Sequence, residues 1–253
     1  MKTYVINLAA STDRRAQMLP QLEASGLEYE FFDAVDGRAL TEAQRSELVD
    51  EAEVLKHPTW LVPGVIGTAL SHKGVYERMA ARHEAAALVL EDDAILPPDI
   101  AELIDALAGE LSSDEVMLLN FRSFGACRLS RASAVTVGEH RILQPLKPGQ
   151  IVSALAYLIG ADAAASLAAA IVPVRLNSDS WGDHMDRGTL HSLRVVLPRP
   201  VAQRLSGHST VGFTDISPLR RWLTRQTFWP IPQLRIANRK RVRRQMQRVE
   251  WVD

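Results

Sequence analysis

An α/β fold built on a Rossmann-like sheet with helices on both faces, followed by a separate basic tail, is predicted by three features of the sequence. Short apolar runs of strand character alternate with stretches whose apolar residues recur every three or four positions, the pattern of strands and helices in turn. The run 85–90 is apolar throughout, as a strand covered on both faces must be. Charge divides the chain: residues 1–218 carry 19 Lys and Arg against 28 Asp and Glu, a balance of −9, while residues 219–253 carry 10 against 2, a balance of +8. With 253 residues, 47% of them hydrophobic, the chain can build one large domain with a sizeable core over 1–218 and leave 219–253 as a basic amphipathic appendage.

Residues 4–8 read as the first strand, which breaks into the polar turn 10–15. A helix carrying Met18, Leu19 and Leu22 follows and ends at Gly26, a residue suited to the left-handed position after a helix. A second strand at 29–32 runs into Asp33, Asp36 and Gly37. A helix opens over 64–72 and leads to the strand 85–90, which ends in Glu91, Asp92 and Asp93. Pro97, Pro98 and Asp99 start a helix over 100–107, and 116–120 reads as a further strand. Residues 121–149 show turn and short-strand signals without a helical period. A strand at 154–160 feeds an Ala-rich helix over 162–171, then come an acidic loop at 177–184 and a strand at 195–197 bounded by Pro198 and Pro200. The single cysteine, Cys127, excludes an internal disulfide and reads as a small buried hydrophobe, compatible with a reducing cytoplasm. The first residues lack the basic start and apolar stretch of a signal peptide, and no segment reaches the roughly 18 apolar residues of a membrane span, so a protein that does not cross a membrane is expected.

Three adjacent carboxylates at the end of a buried strand repel one another when ionised, and a cation relieves that repulsion. Glu91, Asp92 and Asp93 therefore read as a site for a hard divalent ion, Mg²⁺ or Mn²⁺, bridging to phosphates; the competing reading is a solvated strand-to-loop turn.

Four blocks in order, VINLAASTDRR from Val5, FFDAVDGR from Phe31, GVIGTALSH from Gly64 and ALVLEDD from Ala87, resemble glycosyltransferase family 25, the lipooligosaccharide and collagen galactosyltransferase-like family. The resemblance covers about the first hundred residues. It implies a GT-A type fold and a metal-dependent, inverting transfer of a sugar, galactose first, from a UDP-sugar to lipopolysaccharide or another glycan, including a lipid-linked one. On that basis Glu91 and Asp93 stand as metal ligands, with Glu91 where the DxD motif has aspartate, and Asp92 as a ribose or water-mediated metal contact. A late histidine of the fold type points to His208, with His184 and His191 as rivals. Asp179 and Asp183 are the candidates for the base that takes the acceptor proton, Asp179 favoured by the family's aspartate after the preceding helix. Asn7, Ser11 and Arg14 in the first strand-to-helix turn would meet phosphates or the uracil edge. Asp36, Ser71 and His72 would line the donor pocket, although a plain Asp-Gly turn accounts for Asp36 and Gly37 as well. Trp181 would stack on a sugar ring or fill the core. Two other classes compete: a sugar nucleotidyltransferase, whose Gly-rich basic loop is missing from residues 9–12, and a non-catalytic membrane-associated scaffold, against which the intact acidic triplet argues.

In the tail, Leu234, Val242, Met246 and Val249 can share one helical face with most arginines elsewhere, and Trp222, Trp229 and Trp251 suit a membrane interface. Such a helix would hold the protein peripherally on the cytoplasmic face of an anionic membrane; packing on the catalytic domain is the alternative, and nucleic acid has no recognition motif to support it. Intact protein is expected to sediment with anionic vesicles at low salt and to be partly released at high salt, because the charge contribution is screened and the tryptophan contribution is not. Absence of binding at low salt would leave the arginines as a solvated or partner-binding face.

Overall fold

The apolar runs of the sequence become the central strands of one mixed sheet. In the computed structural model, which describes residues 1–57, 61–204 and 249–252, β1 (Lys2–Asn7) turns into α1 (Thr12–Ser25) and returns as β2 (Tyr29–Asp33). Gly26 ends α1 at φ 71°, a conformation a side chain would resist. Two short helices follow that no apolar stripe announced, α2 (Glu42–Leu48) and α3 (Glu51–Lys56); neither buries a residue, and each is started by a side chain, Thr41 or Asp50, accepting an amide three positions on. Then come α4 (Pro63–Ala81), β3 (Ala86–Glu91), β4 (Ala94–Ile95), α5 (Ile100–Ala108) and β5 (Glu115–Leu118). The irregular middle holds β6 (Arg122–Ser123), β7 (Cys127–Ser130), β8 (Val135–Val137), β9 (His140–Leu143) and β10 (Ile151–Val152). The chain continues with β11 (Ala156–Gly160), α6 (Ala161–Ile171), α7 (Trp181–Asp186), β12 (Ser192–Leu197), β13 (Ala202–Gln203) and β14 (Val249–Val252). The acidic stretch expected as loop is thus partly the helix α7.

Eight strands form the sheet in the order β2-β1-β3-β11-β5-β12-β9-β8. β2, β1 and β3 are parallel, β11 runs against both its neighbours, and β12 is again parallel to β5. Period-two alternation sends Tyr4, Ile6, Ala87 and Val89 to one face, where α4 and α6 cover them with Ile66, Ala69, Ala163 and Leu167. Val5, Leu88 and Leu90 face the other way, under Met18 and Leu22 of α1 and Ile100, Ile104 and Leu107 of α5. Both faces are dry, which is why these strands read as continuous apolar runs.

Register brings the chemistry to one edge. Ile6 lies opposite Glu91 and Asn7 opposite Asp33, so the three parallel strands end together. β11 begins at that edge, with Ala156 opposite Leu90, and delivers the residues just before it. β13 pairs with β4, Gln203 opposite Ala94, and carries the following residues to the acidic triplet. The tail's last strand, β14, pairs in parallel with β7, so the helical face drawn through Val249 does not extend to it. The other residues of 219–253, Trp222 and Trp229 among them, lie outside the described residues, as does His208. Among the described residues no helix is long and apolar enough to cross a membrane.

The loop after β2 lies directly on the start of α4. A Cβ added to Gly37 would sit 1.9 Å from the Pro63 carbonyl oxygen, and one added to Gly67 would sit 2.4 Å from the Val35 carbonyl oxygen. Gly37→Ala and Gly67→Ala are each expected to lower stability by about 1–3 kcal/mol in urea unfolding, because rigid backbone must give way. Gly109→Ala, whose Cβ would meet its nearest neighbour at 3.5 Å, should change it by less than about 0.5 kcal/mol. Equal stability of all three variants would mean that the loop does not rest on α4.

Candidate active site

A cavity of about 450 Å³ opens at the carboxyl ends of β1, β2 and β3, within the size range of small-molecule sites and where open α/β sheets bind ligands. Its walls come from the ends of these strands, the first turns of α4, and three segments distant in sequence that carry Ser153, Asn177 to Asp179, and Gln203 with Arg204.

The three acids at the end of β3 have different surroundings. Asp92 is buried; its Oδ2 accepts from Asn7 Nδ2 and its Oδ1 pairs with Arg14 Nη1, both at 2.7 Å. A guanidinium of the protein therefore meets the charge of Asp92. Asp93 accepts from Gln203 Nε2 at 3.0 Å through Oδ2, while its Oδ1 is buried and, among the described residues, has no hydrogen-bond partner. Burial, and after it the charge of Glu91, pushes the Asp93 carboxyl above its usual range. Glu91 lines the cavity and has His72 Nε2 at 3.7 Å from its Oε1.

Asp179 joins them from the segment before α7. Its Oδ2 accepts the Ser153 amide at 3.1 Å, and burial, aided by the charge of Glu91, raises its pKa. Ser153 adopts φ 114°, a strained conformation for a residue with a side chain. Trp181 Nε1 donates to the Ser153 carbonyl at 3.0 Å, and Ser153 Oγ donates to Asn120 Oδ1 at 3.3 Å, so the neighbours impose the strain. Trp181 is fully buried, edge-on to Tyr157 at 5.3 Å between ring centroids; it fills the core.

Asp183, the rival base, is exposed on α7 and does not line the cavity. Four residues along a helix start suffice to turn it away from Asp179. His184 is buried beside Thr189 Oγ1 at 3.4 Å, with burial pushing its pKa down to about 4, and His191 is exposed. Ser11 makes no side-chain cap; its carbonyl accepts from Asn7 Nδ2 at 3.3 Å. Ser71 lines the cavity and holds the loop after β2, its Oγ accepting the Val35 amide at 2.8 Å. Asp36 lines the cavity while its Oδ1 accepts the Arg38 amide at 3.0 Å in the turn. His72 is buried behind the wall and is not part of the lining.

Arg38, Arg122, Ser153, Asn177, Gln203 and Arg204 line the cavity without having stood out in the sequence. The Arg204 amide donates to the Asp93 carbonyl at 2.8 Å, and among the described residues its buried Nε and the Asn177 Oδ1 have no hydrogen-bond partner, which leaves a donor and an acceptor for a ligand. Four guanidinium groups and the carboxylates of Asp36, Glu91, Asp92, Asp93 and Asp179 thus share one cavity, so acids slightly outnumber bases and an anionic ligand would need a cation beside it. Among the described residues no group of three His, Cys, Asp or Glu side chains is placed to hold a metal ion. Glu91 and the free Oδ1 of Asp93 make a pair of hard oxygen donors, a set that fits Mg²⁺ or Mn²⁺ when phosphates and water complete the shell.

The sequence model of glycosyltransferase family 25 (LPS biosynthesis protein) matches residues 1–181, which include the triplet and Asp179. A glycosyltransferase 25 family member of Anopheles gambiae is 37% identical over 100 residues, 38% of this chain and 17% of that protein. The inactive glycosyltransferase 25 family member 3 of Mus musculus is 36% identical over 96 residues, 36% of this chain and 16% of that protein. Procollagen galactosyltransferase 1-A of Xenopus laevis is 32% identical over 96 residues, with the same shares. The matched stretch spans less than a fifth of the length of each of these relatives.

Because the folded state raises the pKa of Asp93 and of Asp179, it keeps their protons over a pH range in which the unfolded chain has lost them. Their contribution to stability is present below the ordinary carboxylate range near 4 and is lost as pH rises through the folded values. Asp93→Asn and Asp179→Asn are expected to melt above the parent protein at pH 7 and level with it at pH 3.5. Asp92→Asn should instead cost about 2 kcal/mol at pH 7, because it removes the charge of the carboxylate with which Arg14 pairs at 2.7 Å. Thermal unfolding at the two pH values checks all three; a lower melting temperature of Asp93→Asn at pH 7 would show that its charge is already compensated.

Proposed function

The chain belongs to glycosyltransferase family 25, and from that premise we propose that this cavity is a GT-A type site that transfers a hexose from a UDP-sugar to a hydroxyl of a glycan. Galactose is the first choice of sugar, in keeping with the Xenopus relative's name, and lipopolysaccharide the first choice of acceptor, in keeping with the family's description. The observation that carries the reading is the convergence of Glu91 and Asp93, at the end of β3, with Asp179, from a segment far away in sequence, in one cavity that also holds arginines.

Each group has a task in such a transfer. Arg14 and Arg204 lend positive charge to the side of the cavity where a diphosphate would lie, and Asp92 holds Arg14 in place through its ion pair. Glu91 and Asp93 would hold a divalent cation, which when bound would neutralise the charge building on the departing UDP. Asp179, in its ionised form, takes the proton of the acceptor hydroxyl as that oxygen bonds to the anomeric carbon and the bond to UDP breaks, which inverts the configuration. The raised pKa of Asp179 strengthens it as a base, since a more basic carboxylate holds the transferred proton better. The backbone amide of Ser153 keeps the carboxylate pointed while the reaction proceeds.

A non-catalytic scaffold is the second reading, favoured by the word inactive in the name of the mouse relative. Substitutions separate the two. Asp179→Asn is expected to lower kcat for galactose transfer by about 10²–10⁴-fold with UDP binding unchanged in calorimetry. Asp93→Asn should abolish the Mn²⁺-dependent part of UDP binding as well as transfer. A parent protein that binds UDP and Mn²⁺ but transfers nothing to any glycan offered would support the scaffold, and one that binds neither would exclude the donor site.

A further inference from the structure

Behind the cavity wall lies a row of buried polar side chains to which the proposed chemistry gives no task. His72, Tyr76 and Tyr157 are at most 1% exposed. The Tyr157 hydroxyl stands 2.6 Å from His72 Nδ1 and 2.7 Å from the Tyr76 hydroxyl, and among the described residues Tyr76 has no other hydrogen-bond partner. At the far end His72 Nε2 is buried and, among the described residues, without a hydrogen-bond partner, with the cavity carboxylate Glu91 at 3.7 Å.

Counting hydrogens gives the row a direction. A tyrosine hydroxyl has one hydrogen to give, and a neutral imidazole has one, on either nitrogen. If Tyr76 gives to Tyr157, Tyr157 gives to Nδ1 and the imidazole hydrogen sits on Nε2, facing Glu91; every hydrogen is then directed at an acceptor or a carboxylate. In the reverse order Nδ1 gives to Tyr157 and Tyr157 gives to Tyr76. The Tyr76 hydrogen is then stranded in the apolar cluster around α4, and a bare Nε2 lone pair faces a carboxylate. A protonated imidazole strands the Tyr76 hydrogen in the same way. A half-turn of the ring would keep it stacked on Tyr157 but set Cδ2 against the Tyr157 hydroxyl, losing the bond at 2.6 Å.

We propose that Tyr76, Tyr157 and His72 form a one-way hydrogen-bond chain that locks His72 as the Nε2–H tautomer and makes it the positioning residue for Glu91. The gap of 3.7 Å is too long for a hydrogen bond, so Nε2–H acts on Glu91 as an oriented dipole and becomes a bond when the carboxylate moves inward. The consequence for transfer rests on the reading of Glu91 as a donor-site ligand; the tautomer does not.

The test has two arms. In a long-range ¹H–¹⁵N spectrum of histidine-labelled protein, with the His72 signals assigned by their loss in His72→Gln, the parent should show a neutral ring with hydrogen on Nε2. Tyr157→Phe should convert it to a mixture of tautomers. An Nδ1–H ring or an imidazolium in the parent at neutral pH, or no change in Tyr157→Phe, would overturn the lock. In the second arm the glutamine amide of His72→Gln takes the place of Nε2–H and the asparagine amide of His72→Asn takes that of Nδ1. Mn²⁺ affinity and kcat should stay within about threefold in His72→Gln and fall about tenfold or more in His72→Asn. Equal losses in both would overturn the positioning role, whereas a parent with no transfer and no Mn²⁺ binding would remove the donor-site reading and leave the spectrum to decide the lock.

Discussion

A carboxylate withdrawn from water needs donors and an opposite charge, and in Asp92 that need joins the first strand-turn-helix unit to the end of the third strand. Asn7 supplies the amide and Arg14 the charge, each at 2.7 Å and each from a part of the chain about eighty residues away. The parallel pairing of β1 with β3 makes the meeting possible, because opposing Ile6 to Glu91 leaves the next residues of both strands at the same edge. With Asp92 fixed between these partners, Glu91 and Asp93 on either side of it have their places set, and both line the cavity. Asp92 therefore has a structural role as well as a place in the cavity lining.

The opposite wall obeys a second constraint, a run of buried aromatic rings. His72 stacks on Tyr157, and Tyr157 meets Trp181 edge-on. Through Trp181 the run reaches the Ser153 carbonyl, and through the Ser153 amide it reaches Asp179; at its other end His72 faces Glu91. Two carboxylates that the proposed reaction needs are thus indexed to one rigid stack rather than to the loops that carry them. A dry core tolerates little displacement of such rings, so the spacing between the two acids is inherited from core packing.

Much of the framework was legible in the sequence, and the reasons differ from element to element. β1, α1, β2 and β3 announced themselves because long apolar runs and a Gly after a helix are local signals, and the resemblance picked out Asp179 by its place after a helix. The short strands β6, β7, β8 and β10 span two to four residues each, too few for a period to show. α2 and α3 bury nothing and so carry no apolar stripe. The reversal of β11 is a matter of pairing partners, which no local pattern encodes. Gln203 and Arg204 reach Asp93 only because β13 pairs with β4 across more than a hundred residues, and the compensation of Asp92 by Arg14 is hidden for the same reason. Read alone, three adjacent acids suggest one shared task; only the folded chain divides it.

The contact of Gly37 and Gly67 with facing backbone governs how such a cavity diversifies. Where backbone lies on backbone, the path of the wall is settled by atoms that every residue type shares, and exchanging side chains elsewhere leaves it unmoved. Asp36, Arg38, Val65 and Thr68 sit on that path and line the cavity. Exchanges at these four positions reshape the pocket without redrawing its frame, so descendants of one scaffold can drift from ligand to ligand along a small set of positions while the fold beneath them keeps its form.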